Sequence, residues 1–265
     1  MLNATPDWVL RLRTLSDEPP LRERVSVRWG GVEIGDAENA ILQRIAHAFD
    51  YQRQTVLRRD ASGEAWHIDG DLTETLARIA LVMRDLNIAD AWRNEQLAVL
   101  DVRGHRLGTM ERAAVRALGL QTRAVHLFGE TSDGQYWVQQ RSLTKSNEPG
   151  LWDTLMGGMV TAVDTLETAL ARETWEEAGL HVGDMFGLTH GGMVQVHRPN
   201  ASGGGYIRER VDWYRATVPA NLVPNNQDGE VAQFAKVPRA SLEAGVAAGR
   251  FTLEAGLVIA AALGY

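Results

Sequence analysis

From residue 24 to residue 34 apolar and polar positions alternate (RVSVRWGGVEI) on either side of Gly30-Gly31, which predicts a β-hairpin. The period then lengthens. Ile41, Ile45 and Ala48 recur at helical intervals within 39–48. Leu76, Ile79, Ala80 and Met83 do the same within 71–86, a run that opens with the capping signature D-L-T-E. A strand is expected over 96–102 and a short helix over 110–118. Alternation returns at 124–128 and 135–140 around the turn-forming E-T-S-D-G, and at 192–196 and 211–218 around N-A-S-G-G-G. A last strand is expected over 231–237, then helices over 241–248 and 252–263. Hairpins with sparse helices favour an α+β fold over a doubly wound parallel sheet.

The 265 residues suffice for one large domain or two modest ones. A boundary near 119–123 divides the chain into an N-terminal α+β domain, 1–120, and a second domain, 121–265. The first part carries no chemistry-bearing motif and reads as structural or substrate-shaping. With 45% hydrophobic and 23% charged residues the chain has the composition of a soluble globular protein. Cysteine is absent, which excludes disulfides and thiolate metal sites and fits a reducing compartment. No run approaches the roughly 20 apolar residues that cross a bilayer, and the first residues lack a signal-peptide pattern. A cytoplasmic protein without a membrane partner is the expectation. A net charge of −7 argues against nucleic acid as a partner. Lys145 and Lys236 are the only lysines, so the basic residues are almost all arginines, whose forked donors suit phosphate and carboxylate.

One segment departs from a surface pattern. The spacing predicts a helix over 165–178, with Asp164 and Thr165 as N-cap types, Asp164-x-x-Glu167 as a capping-box variant and Gly179 as its stop. At about 100° per residue, Glu173, Glu176 and Glu177 share one arc, and Leu166, Ala169 and Leu170 occupy that arc one to two turns earlier. A solvated face stays polar along its length. Like charges at these spacings repel, and acids in the second half of a helix oppose its dipole. A divalent cation reverses the sign of both effects, because hard cations seek clustered carboxylate oxygens.

The full run GGMVTAVDTLETALARETWEEAGL resembles the Nudix box, G-x5-E-x7-R-E-U-x-E-E-x-G-U with U a bulky aliphatic residue. Gly158, Arg172, Glu173, Glu176, Glu177, Gly179 and Leu180 match in register; Asp164 replaces the first Glu and Thr174 the aliphatic residue. The resemblance implies an α/β/α sandwich over 121–265, preceded by the smaller α+β domain. By position, Glu173, Glu176 and Glu177 would bind Mg²⁺ or Mn²⁺, with the Gly158 carbonyl as a further ligand. Arg172 would hold a glutamate in place, and Asp164 is either a helix cap or linked to the metal. Glu173 or Glu230 would accept the proton of the attacking water.

The family typically hydrolyses a diphosphate joined to another moiety, so a small-molecule diphosphate is the implied substrate. The stretch RSLTKSNEPGLWDTLMGG and the later VDWYRATVPANLVPNNQDGEVAQF resemble the thiamine-diphosphate-linked subgroup, whose members carry an extra N-terminal domain. Hydrolysis of thiamine diphosphate, or a damaged analogue, to the monophosphate is the implied activity. Arg141, Lys145 and Trp152 are the candidate substrate residues, as phosphate-facing cations and an aromatic wall. ADP-ribose or nucleotide-sugar hydrolysis is the enzymatic alternative, and a non-catalytic ligand-binding regulator the alternative of another class. Isopentenyl-diphosphate isomerase is similar too, but that enzyme depends on a catalytic cysteine, which this chain lacks. Both a monomer and a homodimer fit the sequence.

Overall fold

The computed structural model describes residues 5–51, 53–89, 92–200 and 204–265. After α1 (Asp7–Leu15) come β1 (Arg24–Trp29), β2 (Val32–Glu38), α2 (Asn39–Tyr51), β3 (Leu57–Arg59), β4 (Ala65–Ile68) and α3 (Leu72–Asp85). The strands form a sheet in the order β2-β1-β4-β3, with β1 parallel to β4. Gly30 and Gly31 turn the first hairpin with φ of 54° and 83°, the left-handed region that both central residues of a tight hairpin turn require. Asp71 caps α3 by accepting the Glu74 N–H at 2.9 Å. Leu42, Ile45 and Phe49 of α2 meet Leu76, Ile79 and Met83 of α3 in one core with Val27.

A hairpin of β5 (Gln96–Leu100) and β6 (Arg106–Glu111) follows. The short helix expected over 110–118 does not form. Met110 pairs with Leu97 across the hairpin, and only Arg112–Ala114 makes a single 3₁₀ turn. The Glu111 carboxylate accepts the N–H groups of Arg93 and Ala113 at 3.1 and 3.3 Å, which ties this corner to residue 93. Apolar spacing alone does not carry that long-range constraint.

The rest of the chain builds one mixed sheet. Its elements are β7 (Gln121–Thr131), β8 (Gln135–Arg141), β9 (Trp152–Asp153), β10 (Met156–Met159), α4 (Leu166–Ala178), β11 (Phe186–Pro199), β12 (Tyr206–Val218), β13 (Val231–Pro238), α5 (Arg239–Ala247) and α6 (Leu253–Ala262). The order is β11-β12-β7-β8-β13, with β12 parallel to β7. Residues 201–203, the middle of the N-A-S-G-G-G run, lie outside the described residues. On β7, Val125 and Leu127 face α4 beside Ala169 and Leu170. Ala124 packs with Val258 of α6, while Phe128 packs with Leu242 of α5 and with Leu257 and Ile259 of α6. Two helical layers therefore enclose the sheet, as expected, and the α+β unit precedes them. Strands β7 and β8 pair only at Gly129–Trp137 and Glu130–Tyr136; beyond that they splay, β10 taking the edge of β7 and β9 that of β8. A cleft opens at the splay. Among the described residues no helix is long and apolar enough to cross a membrane.

The first helix belongs to this second core. Leu12 is 7% exposed and packs with Phe128, Val246 and Leu257; its methyl groups fill the space that the missing Cβ of Gly256 leaves. Leu12→Ala is expected to destabilise the protein by about 2–5 kcal/mol through the cavity it leaves, read as a lower midpoint in urea unfolding.

Candidate active site

Strand β10 delivers Gly157 and Gly158 to the floor of the cleft, and α4 delivers the acids. The helix runs from Leu166 to Ala178 and ends at Gly179, whose φ of 61° is the left-handed conformation of a glycine stop. Its N-cap is Thr165, which exchanges hydrogen bonds with Thr168 in a capping box; Asp164 and Glu167 do not form one. The arc anticipated on α4 is realised: Ala169 and Leu170 are buried in the core, Glu177 is 2% exposed, and Glu176 reaches solvent.

Glu177 Oε2 accepts from the Gly157 N–H at 3.0 Å and from Gln139 Nε2 at 2.7 Å. Lys145 Nζ lies 3.7 Å from Glu177 Oε1 and is ion-paired with Glu230. Burial pushes the Glu177 carboxyl up to about 8 despite the Lys145 charge, and pushes that of Glu173 up to about 7 despite Arg172. Glu230 moves the other way: burial raises its carboxyl, but the Lys145 pair outweighs this and leaves it below the ordinary carboxylate range.

Arg172 is the hub of the cluster. It donates to Asp164 Oδ2 at 2.7 and 3.2 Å, to Glu173 Oε1 at 2.8 Å, to Glu176 Oε2 at 3.0 Å and to the Met159 carbonyl at 3.2 Å. Arg141 also lines the cleft, yet its donors hold the carbonyls of Asn147 and Glu148 at 2.9 and 3.3 Å, so it braces the loop that carries Lys145. Trp152 does not join this group. It pairs with Gln140 in β9 and packs against the core under α5 and α6, because β9 turns its ring away from the cleft. Sequence reasoning passed over Arg112, Arg116, Glu209 and Glu254, which line the same cleft from other elements.

A family model described as the NUDIX domain matches residues 120–255. The chain belongs to the Nudix family. Nudix hydrolase 20 (chloroplastic) of Arabidopsis thaliana is 30% identical over 178 residues, 65% of this chain and 46% of that protein. The isopentenyl-diphosphate Delta-isomerase of Streptomyces coelicolor is 31% identical over 147 residues, 55% of this chain and 72% of that protein. The crystal structure of DR0079 from Deinococcus radiodurans shares the fold, with a TM-score of 0.50 at 21% identity over 64% of this chain and 100% of that one. This chain spans about half the length of the plant relatives it matches.

Among the described residues no three His, Asp or Glu side chains converge on one point as metal ligands. The Nudix-box carboxylates are instead gripped by the protein's own cations, Arg172 on Glu173 and Glu176 and Lys145 beside Glu177. The donor set nonetheless suits a hard divalent cation: its side-chain ligands are all oxygens, and two carboxylates are buried against their charge. Gly158 keeps space for one of them, since a Cβ there would overlap Glu173. Gln139, which grips Glu177, keeps its own buried Oε1 without a hydrogen-bond partner.

Asp164 faces Arg172 and the Thr161 hydroxyl, at 2.7 and 2.9 Å. Burial raises its carboxyl, but these donors together hold it below the ordinary value of 3.8. A depressed carboxyl contributes stability above its unfolded value and loses it as acid protonates it. Asp164→Ala is accordingly expected to cost about 1–3 kcal/mol at pH 7, the worth of a hydrogen bond to a charged group. The difference from wild type should shrink below about pH 3.8, measured by urea unfolding at both pH values.

Proposed function

We propose that the chain is a metal-dependent diphosphate hydrolase, with thiamine diphosphate or a damaged analogue, cleaved to the monophosphate, as its substrate. The observation that carries the hydrolase reading is the burial of Glu173 and Glu177 beside Gly158, in one cleft with Lys145, Arg141, Arg112 and Arg116. Glu173, Glu176 and Glu177 would hold Mg²⁺ or Mn²⁺. When bound, such an ion neutralises phosphate charge and lowers the pKa of a bound water. Arg172 fixes the carboxylates in register through its fork. Lys145 and the arginines attract and orient the phosphates. Glu173, held by Arg172, and Glu230, held by Lys145, are the two candidates to take the proton of the attacking water.

The division at 120/121 fits this reading apart from α1, which packs into the second core, with the rest of 1–120 shaping the substrate end. Ile88, Arg93 and Val115 of the first part line a cavity of about 240 Å³ that shares Arg112, Arg116 and Met159 with the cleft. The size of that adjoining space supports a second reading, hydrolysis of ADP-ribose or a nucleotide sugar. A panel of thiamine diphosphate, ADP-ribose, nucleotide sugars and dinucleotides with Mg²⁺, read as monophosphate release, tests both. Turnover of thiamine diphosphate above the others supports the first reading, and preference for ADP-ribose replaces it by the second. Tight binding without turnover of any member would sink the hydrolase.

A further inference from the structure

The face of the large sheet that carries Val125 and Leu127 continues, toward the start of β7, into a polar array. The registers place His197, Arg208 and Gln121 on one rung across β11, β12 and β7, and Gln195, Arg210 and Arg123 on the next. Residues in register share a face, and alternate residues along a strand return to it. Six donor-bearing side chains therefore stand side by side, with no carboxylate among them. They line a cavity of about 710 Å³ that shares no lining residue with the cleft of the box acids. Ile34 of β2, with Leu100 and Val102 at the β5–β6 turn, gives this cavity apolar walls, and Arg103 of that turn adds a further guanidinium.

The array is not one that strand pairing alone would favour. Arg210 and Arg123 stand directly opposite, where like charges destabilise a sheet. One buried carboxylate serves both: Asp212 accepts from Arg123 at 3.1 Å, from Arg210 at 3.0 and 3.1 Å and from His190 at 3.1 Å. Asp36 also serves two, Arg24 at 2.6 Å and Arg208. The acids of the cavity wall are engaged apart from the array. Asp101 accepts the N–H groups of Arg103 and His105 at 2.8 Å, and Glu33 accepts from the Ser26 hydroxyl at 2.9 Å. Glu167, exposed at the start of α4, adds a charge near Arg123 without an ion pair among the described residues. These carboxylates roughly balance the guanidinium charge. They do not use up the donors. A guanidinium carries five N–H groups, of which Asp212 takes one from Arg123 and two from Arg210, and Asp36 takes one from Arg208. Arg123 Nε is buried without a partner.

We infer that this cavity is a second ligand site, which takes a phosphate-bearing small molecule without a metal ion. Arg123, Arg208 and Arg210 fork onto the phosphate oxygens, and the organic remainder lies against Ile34, Leu100 and Val102. A phosphate supplies what the array lacks, several charged acceptors on one centre, and planar forks match its oxygens. A single carboxylate has two oxygens and would leave most of the donors unused. The volume is that of a site for a small organic ligand. The inference stands apart from the hydrolase reading, because none of these residues belongs to the box cleft.

Calorimetric titration of the full chain with inorganic pyrophosphate in EDTA tests this, since EDTA removes the divalent cation that the cleft would use. Wild type is expected to bind, and Arg208→Gln and Arg210→Gln each to weaken binding about ten-fold or more, the scale of a lost charge-assisted hydrogen bond. Lys145→Gln, in the cleft, should stay within about two-fold of wild type, and citrate should bind wild type at least about ten-fold more weakly than pyrophosphate. Asp36 keeps Arg24, and Asp212 keeps Arg123 and His190, so both arginine variants are expected to fold, which thermal melts check. Arg103→Gln is the second measure. Its side chain makes no hydrogen bond or ion pair among the described residues, so a loss of about three-fold there reads the site and not the fold. No pyrophosphate binding in EDTA, binding unchanged in all three arginine variants, or binding lost in Lys145→Gln instead overturns the inference. Citrate bound as tightly as pyrophosphate overturns the phosphate assignment.

Discussion

Glu177→Gln is expected to lower kcat by about three orders of magnitude, or about 4 kcal/mol at 1.36 kcal/mol per decade, while the protein stays folded. The substitution keeps the shape and one acceptor oxygen, so the Gly157 N–H and Gln139 amide can still be satisfied. What disappears is the charge, which a hard cation needs and an empty fold does not. Stability separates these effects. The Glu177 carboxyl is raised from 4.5 to about 8. A carboxyl with a raised folded pKa prefers its proton in the native state. In the metal-free wild type this carboxyl therefore costs stability as pH climbs from about 4.5 through about 8, and a glutamine in its place adds no such loss. In EDTA at pH 8 the variant should melt at or above the wild-type Tm, and the two should converge near pH 5. Added Mg²⁺ should raise the wild-type Tm in proportion to the logarithm of its concentration above Kd, and the variant's little. Full activity in Glu177→Gln would remove this residue from the metal set.

Local periodicity gave the elements that local forces build. The hairpin at Gly30-Gly31, the capped helix after Asp71 and the α4 arc are set by neighbours within a few residues, so their pattern was legible. Arg112–Ala114 was not, because strand pairing holds Met110 and Glu111 where the helix would begin, and the Glu111 carboxylate reaches the backbone of residue 93. The box is a sequence-local motif, and its spacing carried Gly158, Arg172 and the three glutamates. Two ambiguities, one in the box and one before it, needed coordinates. Asp164 is the anchor of Arg172, with the cap falling to Thr165 one residue on. Trp152 has the residue type of a pocket wall, but strand pairing turns it into the core. Glu209 was invisible for the opposite reason. A single acid among R-E-R on a strand reads as solvated, yet the fold leaves Glu209 6% exposed in the lining of the cleft.

Gly158→Ala is expected to cut kcat by about 100-fold or more, the scale of a misplacement near the chemistry by about 1 Å, with little change in stability. The reason is space. A Cβ on residue 158 would lie 2.1 Å from Glu173 Cδ and 2.4 Å from its Cγ. The backbone is held by pairing with Val125 in β7, so it cannot retreat. The overlapping atoms belong to the end of a side chain, which can swing away, and the clash is resolved by expelling Glu173 from its place rather than by breaking the sheet. The Gly158 carbonyl is untouched by the change, so a loss of activity would come from Glu173 and not from the carbonyl as a ligand. Gly183→Ala provides the control, because a Cβ there meets nothing within 4 Å. Steady-state kinetics across a Mn²⁺ titration should show a weaker apparent metal affinity in Gly158→Ala and none of this in Gly183→Ala. A Gly158→Ala enzyme with wild-type kcat would mean that Glu173 works from a position other than the one beside β10. A melt lowered by tens of degrees would mean instead that the strand, and not the side chain, gives way.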